Sequence, residues 1–209
     1  MKTAIFGSTG GTGRHLVEQA LERGHQVIAF ARSPEKLNAY HEKLTIVQGD
    51  ATDQEKVMEA ISQAEAVVSA LGPSENKPIF NVTESTNNIL AAMRDHGVER
   101  LVISAGAGVE DPKDEPKLIN KLIGVLLKLV SRWVYEDMVR TVELVRASEI
   151  KWTIARVPML TDDDPKGEVR YGYVGKGMGP RITRADMASA MLDLVEGDDY
   201  IHQAPAISN

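Results

Sequence analysis

Thr3-Ala4-Ile5-Phe6-Gly7-Ser8-Thr9-Gly10-Gly11-Thr12-Gly13 is the stretch that decides the fold. Its first four residues are apolar or β-branched and read as a short buried strand. Three glycines follow at GxxGxxG spacing, and a helical pattern runs on to about residue 23. A glycine pattern alone is weak evidence, but strand, glycine turn and helix start in that order are the context a dinucleotide motif requires. Gly7 suits the tight turn, Gly10 a close approach of backbone to a pyrophosphate, and Gly13 close packing of helix on sheet. Free N–H groups and the helix dipole then favour phosphate charge by up to ~2 kcal/mol. The candidate phosphate cradle is Gly7, Ser8, Thr9, Gly10, Gly11, Thr12 and Gly13. No GxxxxGK[ST] can be laid on these residues, so a Walker-type loop is excluded.

Outward from this unit, apolar β-rich runs alternate with helical patterns. Strands are expected at 3–6, 26–30, 44–48, 66–70, 101–104 and 152–156. Each is nearly all apolar, as parallel strands covered on both faces are. Helices are expected near 12–23, 34–42, 53–63, 79–96, 117–148 and 183–195. Gly24 and Gly97 stand where left-handed C-caps want glycine. Asp53 stands at an N-cap, and Thr183-Arg184-Ala185-Asp186 reads as a capping box. This rhythm predicts an α/β, three-layer, doubly wound parallel sheet of the Rossmann kind. At roughly 150 residues per domain, the 209 residues allow one domain or two. The unbroken rhythm favours one, over 1–209, with the Gly- and Pro-rich residues 157–209 as a substrate-side elaboration. Within it, 168–174 alternates as an edge strand or hairpin would.

Composition removes whole classes of function. Hydrophobic residues are 43% and charged residues 26%, as in soluble globular chains. Cysteine is absent, which excludes a disulfide scaffold, thiolate metal ligands and a thiol nucleophile. A net charge of -6 disfavours nucleic acid as a partner. The histidines show no metal-ligand spacing, so no metal site is expected. The apolar stretch 118–134 carries Lys121, Lys128 and Arg132, too much charge for a membrane span. It reads as a helix covering the sheet, a lid or a dimer face, so monomer and homodimer both remain open. No segment looks like an address, and a cytoplasmic location is expected.

The end of the second strand, Phe30-Ala31-Arg32-Ser33, is the next signal. NAD sites usually place a carboxylate there, about 20 residues past the glycines, to take the ribose hydroxyls. Here Arg32 and Ser33 stand instead, with no acid at the tip. A guanidinium suits a 2′-phosphate through charge-assisted bonds, which favours NADP over NAD. Two more strand ends face the cofactor by topology: Asp50-Ala51 and Ala70-Leu71-Gly72. Asp50 could accept from an adenine amine, or serve only as the turn residue before the next helix.

At these residues the chain resembles the atypical short-chain dehydrogenase/reductases with an NAD(P)-binding Rossmann fold. It is most similar to the biliverdin-IXβ reductase/flavin reductase group and to NmrA-like proteins. The glycine run, Phe30–Ser33 and 47–50 carry the likeness, with 87–93, 96–98, 100–106, 144–148 and 152–158. The resemblance implies a nicotinamide site beside Ser104, Ala105 and Gly106, with Val157 and Pro158 as the opposite wall. In well-known members a tyrosine and a lysine four residues later handle the proton. The spacing here allows Tyr135, but Val139 then stands at the lysine position, and Gly106 falls where the serine is expected, with Ser104 two residues early. Ser104 and Tyr135 are the catalytic candidates of this partial set.

Ketone reduction needs a proton donor at the developing alkoxide. Reduction of a flavin, bilin or quinone needs mainly hydride delivery. The expectation is therefore an NADPH-dependent reductase of a planar, conjugated small molecule. The alternatives are an NmrA-like NADP(H) sensor without turnover, or a relative of sugar-nucleotide epimerases and dehydratases. Trp133, Trp152 and Tyr171 are candidates to stack on such an acceptor, and Arg181 to reach cofactor or acceptor. The triplet Asp162-Asp163-Asp164 reads as a solvated loop.

Overall fold

The computed structural model describes residues 1–37, 39–73, 75–117 and 128–209. Six parallel strands form the body of one sheet: β1 (Lys2–Phe6), β2 (Gln26–Ala31), β3 (Leu44–Gln48), β4 (Ala66–Ser69), β5 (Arg100–Gly106) and β6 (Lys151–Val157). They stand in the order β3-β2-β1-β4-β5-β6, so β1 has β2 on one side and β4 on the other. This is the doubly wound dinucleotide-binding order, and the reversal beside β1 opens a crevice at the strands' C-terminal ends.

Strand residues alternate between two cores. Ala4, Phe6, Ile28 and Phe30 join α2 (Gln54–Ile61), α3 (Asn81–His96) and α4 (Arg132–Arg146) on one face. Ile5, Val27 and Ala29 join α1 (Gly11–Glu22) and α5 (Arg184–Glu196) on the other. Alternation of an all-apolar strand onto two helical layers makes the three-layer sandwich. Local caps set the helix limits as expected. Asp53 accepts from Glu55 N–H at 3.0 Å, Thr183 Oγ1 from Asp186 N–H at 3.0 Å, and Gly97 ends α3 with φ 68°.

Two expectations differ from the structure. The helix expected over 34–42 is one 3-10 turn, Pro34–Lys36. In the segment that follows, Leu37 is buried while Tyr40 is fully exposed, so no apolar stripe exists to dock a longer helix. The C-terminal quarter also carries more strand than expected. β7 (Met159–Thr161) pairs β9 (Arg181–Thr183), while β10 (Ala206–Ser208) extends the main sheet beside β6. β8 (Arg170–Gly172) closes that edge antiparallel to β10, within the stretch expected to be an edge strand. The helix expected over 117–148 is seen as α4, and 118–127 lies outside the described residues. No helix among the described residues is long and apolar enough to cross a membrane.

A buried ion pair fixes the loop after β5. Arg156 on β6 is fully buried and grips Asp114 with two bonds of 2.7 Å. Its remaining donors reach Ala204 O and Val109 O, at 2.7 and 2.9 Å. Asp114 also accepts from Val174 N–H and Asp111 N–H. One guanidinium thus joins β6, the loop after β5, the approach to β10 and the segment after β8.

Candidate dinucleotide site

The glycine loop is built by exclusion of side chains. Gly7 has φ +75°, and a Cβ there would lie 2.8 Å from Ala70 O on the neighbouring strand end. A Cβ at Gly13 would lie 1.9 Å from Gly7 O, so only hydrogen lets the helix seat on the loop. Ser8 is buried and donates its hydroxyl to Phe30 O at 2.8 Å, tying the loop to the end of β2. No side chain caps α1, and Gly10 O accepts from Arg14 N–H at 3.0 Å. The N–H groups ahead of Arg14 are the ones a phosphate would take.

The loop opens on a cleft of about 290 Å³ over the C-terminal ends of β1 to β4. Of the residues expected to hold a cofactor, Gly7, Thr9, Gly10, Arg32, Asp50, Ala51, Ala70, Leu71 and Gly72 line it. Ser8, Thr12 and Gly13 are covered behind this surface, and Ser33 starts the 3-10 turn beside it. The cradle and cleft fit a dinucleotide: a glycine-rich backbone shelf, a helix start without a cap, and a cation at the ribose end of β2.

That cation, Arg32, is 70% exposed, with Nη1 3.8 Å from Asp50 Oδ2. Asp50 Oδ1 accepts from Thr52 N–H at 3.0 Å and from its hydroxyl at 2.8 Å. The Thr52 N–H, then its hydroxyl and the Arg32 guanidinium, hold the Asp50 carboxyl below its usual range against the opposing effect of burial. Asp50 is therefore a turn residue with one oxygen turned toward Arg32. An exposed pair at that distance is worth ~0–1 kcal/mol, so an arriving phosphate could displace it.

The nicotinamide-side candidates lie one strand further on. Ser104, Ala105 and Gly106 end β5 in register with Ala155, Arg156 and Val157 of β6. Val157 O accepts from Ala107 N–H at 2.6 Å, and Pro158 follows. Met138 of α4 lies against Gly106. Tyr135, one turn earlier in α4, carries Lys128 over its ring at 5.0 Å. Its hydroxyl, then Glu110, holds the Lys128 ammonium above the usual lysine range. Val139 packs against the core. A lysine does meet Tyr135, but from before the helix rather than four residues after. Ser104 and Tyr135 are not among the residues lining the cleft.

Three residues have roles the sequence reading did not assign. Asp137 of α4 is 1% exposed and lines the cleft. It caps α3 from outside, accepting from Val82 N–H at 3.2 Å and from Thr83 N–H and Oγ1 at 3.0 and 2.6 Å. Asn88 of α3 donates to Ala51 O and Thr52 O, which holds the turn after β3. Arg184 lies against Gly11, while the expected candidate Arg181 is an exposed first residue of β9. Asn88 follows Ser85-Thr86-Asn87 and Asp137 follows Glu136, so neither stands out from its polar neighbours, and their partners are far away in sequence.

The proposed stacking residues are engaged elsewhere. Trp152 is buried against His202, Tyr171 stacks on Tyr200, and Trp133 meets Phe80 edge-on. Of the aspartate triplet, Asp162 pairs with Arg184 at 2.8 Å. Among the described residues no group of three or more His, Asp or Glu could hold a metal ion.

The family described as NAD(P)H-binding matches residues 7–198. A chloroplastic protein of Arabidopsis thaliana, itself uncharacterised, is 32% identical over 182 residues, 80% of this chain and 62% of that protein. A 2-alkyl-3-oxoalkanoate reductase of Stenotrophomonas maltophilia is 32% identical over 127 residues, 56% of this chain and 36% of its own length. The chain thus spans about three fifths of the first relative and about a third of the second. Two solved structures share the fold. One is a short-chain dehydrogenase/reductase of Veillonella parvula in complex with NADP, with TM-score 0.81, 17% identity and coverage of 100% of this chain and 94% of that one. The other is an anaerobillin reductase of Escherichia coli O157:H7, with TM-score 0.78, 18% identity and coverage of 100% and 97%. Since the family match takes in the glycine loop, the strands from β2 to β9 and the last helix, this chain belongs to the NAD(P)H-binding Rossmann-fold family.

Proposed function

We propose that the protein is an NADPH-dependent reductase that delivers hydride to a planar, conjugated acceptor of the flavin, bilin or quinone type. The observation that carries the cofactor choice is Arg32, exposed at the mouth of the cleft where a ribose-binding acid would otherwise stand. Gly7 to Gly13 would hold the pyrophosphate by backbone N–H groups. Arg32 and Ser33 would hold the 2′-phosphate. Asp50, Ala51 and Ala70 to Gly72 would line the adenosine side. When bound, the reduced nicotinamide supplies a hydride. Ser104 to Gly106 and Val157-Pro158 would flank that ring, and the chain's task is to position and to exclude water, which can supply several kcal/mol of the barrier.

The acceptor class rests on the proton side of the site. Val139 stands where the usual lysine would, and Tyr135 is partnered by Lys128, whose ammonium is itself tied to Glu110 at 3.2 Å. A conjugated acceptor can take its proton from solvent. The same departure favours a second reading, an NADP(H) sensor of the NmrA-like kind. Loss of NADPH absorbance with FMN, biliverdin and quinones decides between them. Turnover with any of these supports the reductase, whereas tight NADPH binding without turnover supports the sensor. Absence of binding removes both.

A further inference from the structure

A cation lies across the phosphate loop from the far end of the chain. Arg184 is the first residue of α5, and its side chain rests on Gly11, the first residue of α1. A Cβ at Gly11 would lie 2.7 Å from Arg184 Cδ, 2.8 Å from Nε and 3.2 Å from Cζ. The side chain is 30% exposed, and Nε donates to Asp162 Oδ1 at 2.8 Å. Among the described residues the two terminal nitrogens have no partner. Asp162, at the end of β7, is 83% exposed, so this pair adds little stability.

The placement is electrostatically odd for a structural arginine. Helix starts carry partial positive charge and prefer anions. Here a guanidinium stands at the start of its own helix and also over the uncapped start of α1. At α5, the Asp186 carboxylate engages Thr183, Lys166 N–H and Gly167 N–H. At α1 no side chain plays that part. The uncapped start of α1 and the two free guanidinium nitrogens therefore meet at one shelf, and an anion could bridge them.

We propose that Arg184 is a phosphate-binding arm of the dinucleotide site, seated in the space that glycine leaves at position 11, with the exposed Asp162 as a competitor for its charge. Its ligand is the pyrophosphate of the dinucleotide. The proposal rests on the NADP reading above and assigns a residue that the glycine motif does not contain.

Binding measurements with fragments test it. Arg184→Ala should weaken NADP and 2′-phospho-ADP-ribose by about 10- to 150-fold, the range for losing a hydrogen bond to a charged group. It should leave 2′-AMP, which has no pyrophosphate, unchanged. Arg184→Lys should restore part of the affinity. Gly11→Ala, which pushes the arm aside but keeps its charge, should weaken NADP less than Arg184→Ala does. Asp162→Asn separates the phosphate role from a merely structural one. It breaks the ion pair but keeps the cation, so NADP affinity should hold or rise. If Asp162→Asn and Arg184→Ala lose affinity alike, or if Arg184→Ala weakens 2′-AMP equally, the arm is structural and the proposal is overturned. Unchanged NADP affinity in Arg184→Ala overturns it as well, while leaving the cofactor reading intact if Arg32→Glu still weakens 2′-AMP. Wild-type protein that binds neither NADP nor 2′-AMP overturns both.

Discussion

Arg32 and Asp50 face each other across the adenosine end of the cleft, and their charges pull the cofactor choice in opposite directions. The guanidinium attracts a 2′-phosphate, and the carboxylate 3.8 Å away repels it. Arg32→Glu should therefore reverse the preference and weaken NADP by about 10- to 150-fold relative to NAD. Asp50→Asn should tighten NADP, since the amide keeps the turn to Thr52 but loses the charge. Titrations with both cofactors check the pair, and equal affinities in Arg32→Glu and wild type would sink the assignment. At Tyr135 the acceptor class itself is at stake. With a conjugated acceptor, Tyr135→Phe should lower kcat by less than the ~10²-fold that marks a lost general acid. A larger loss would point to a ketone substrate. At Gly13 there is no room to negotiate, because its Cβ position coincides with the Gly7 carbonyl. Gly13→Ala should lose cofactor binding together with ~1–3 kcal/mol or more of stability, read by denaturant unfolding.

Among the elements, α3 shows how far a site residue can stand from the motif that announces the site. Its N-terminus lines the cleft, yet its cap comes from Asp137 on α4. Asp137→Ala should cost ~0.5–2 kcal/mol through the lost cap and weaken cofactor binding as the helix start frays. Hydrogen exchange at Val82 and Thr83 reads that fraying directly. The same contrast explains what was legible in the sequence. The glycine loop and Arg32 could be read because a strand, a turn and a helix start announce themselves within neighbouring residues. Five of the six parallel strands could be read because burial on both faces makes them nearly all apolar, while β3, at the sheet edge with Thr45, Ile46 and Gln48 exposed, was legible from its β-branched run alone. Asp137 and Arg184 could not be read, because the backbone each lies against, at Val82-Thr83 and at Gly11, is distant in sequence. Of the four strands of three residues only β8 lies in a longer alternating stretch; β7, β9 and β10 are too short to carry a period. The segment after Pro34 has good helix-start chemistry but no apolar stripe, so tertiary packing, not propensity, limits it to one turn.

For the molecule as a whole, the buried Arg156–Asp114 pair holds the loop after β5 to the C-terminal strands. Burial by itself would raise the Asp114 carboxyl. The Arg156 guanidinium outweighs that, with help from Val174 and Asp111 N–H, and the carboxyl lies below its usual range. A carboxyl depressed in the folded state stabilises the fold above its unfolded value of about 3.9, and this contribution is lost as the pH falls through the folded value. Tm should therefore fall on acidification below about pH 4, with a shallower fall in Asp114→Asn. Asp114→Ala at neutral pH leaves a buried cation alone and should cost ~3–5 kcal/mol.

The seat of α5 on α1 has a consequence for how the protein is made. Leu16, Val17 and Ala20 belong to the same buried cluster as Met187, Met191 and Leu192. The ribosome releases the first trio long before the second. Until α5 is made, the part of the apolar side of α1 that meets it has no cover, and the phosphate loop stands on a helix seated only on β1 and β2. A nascent chain stalled before α5 should be protease-sensitive at its own N-terminal motif and should be retained by chaperones that hold exposed apolar segments.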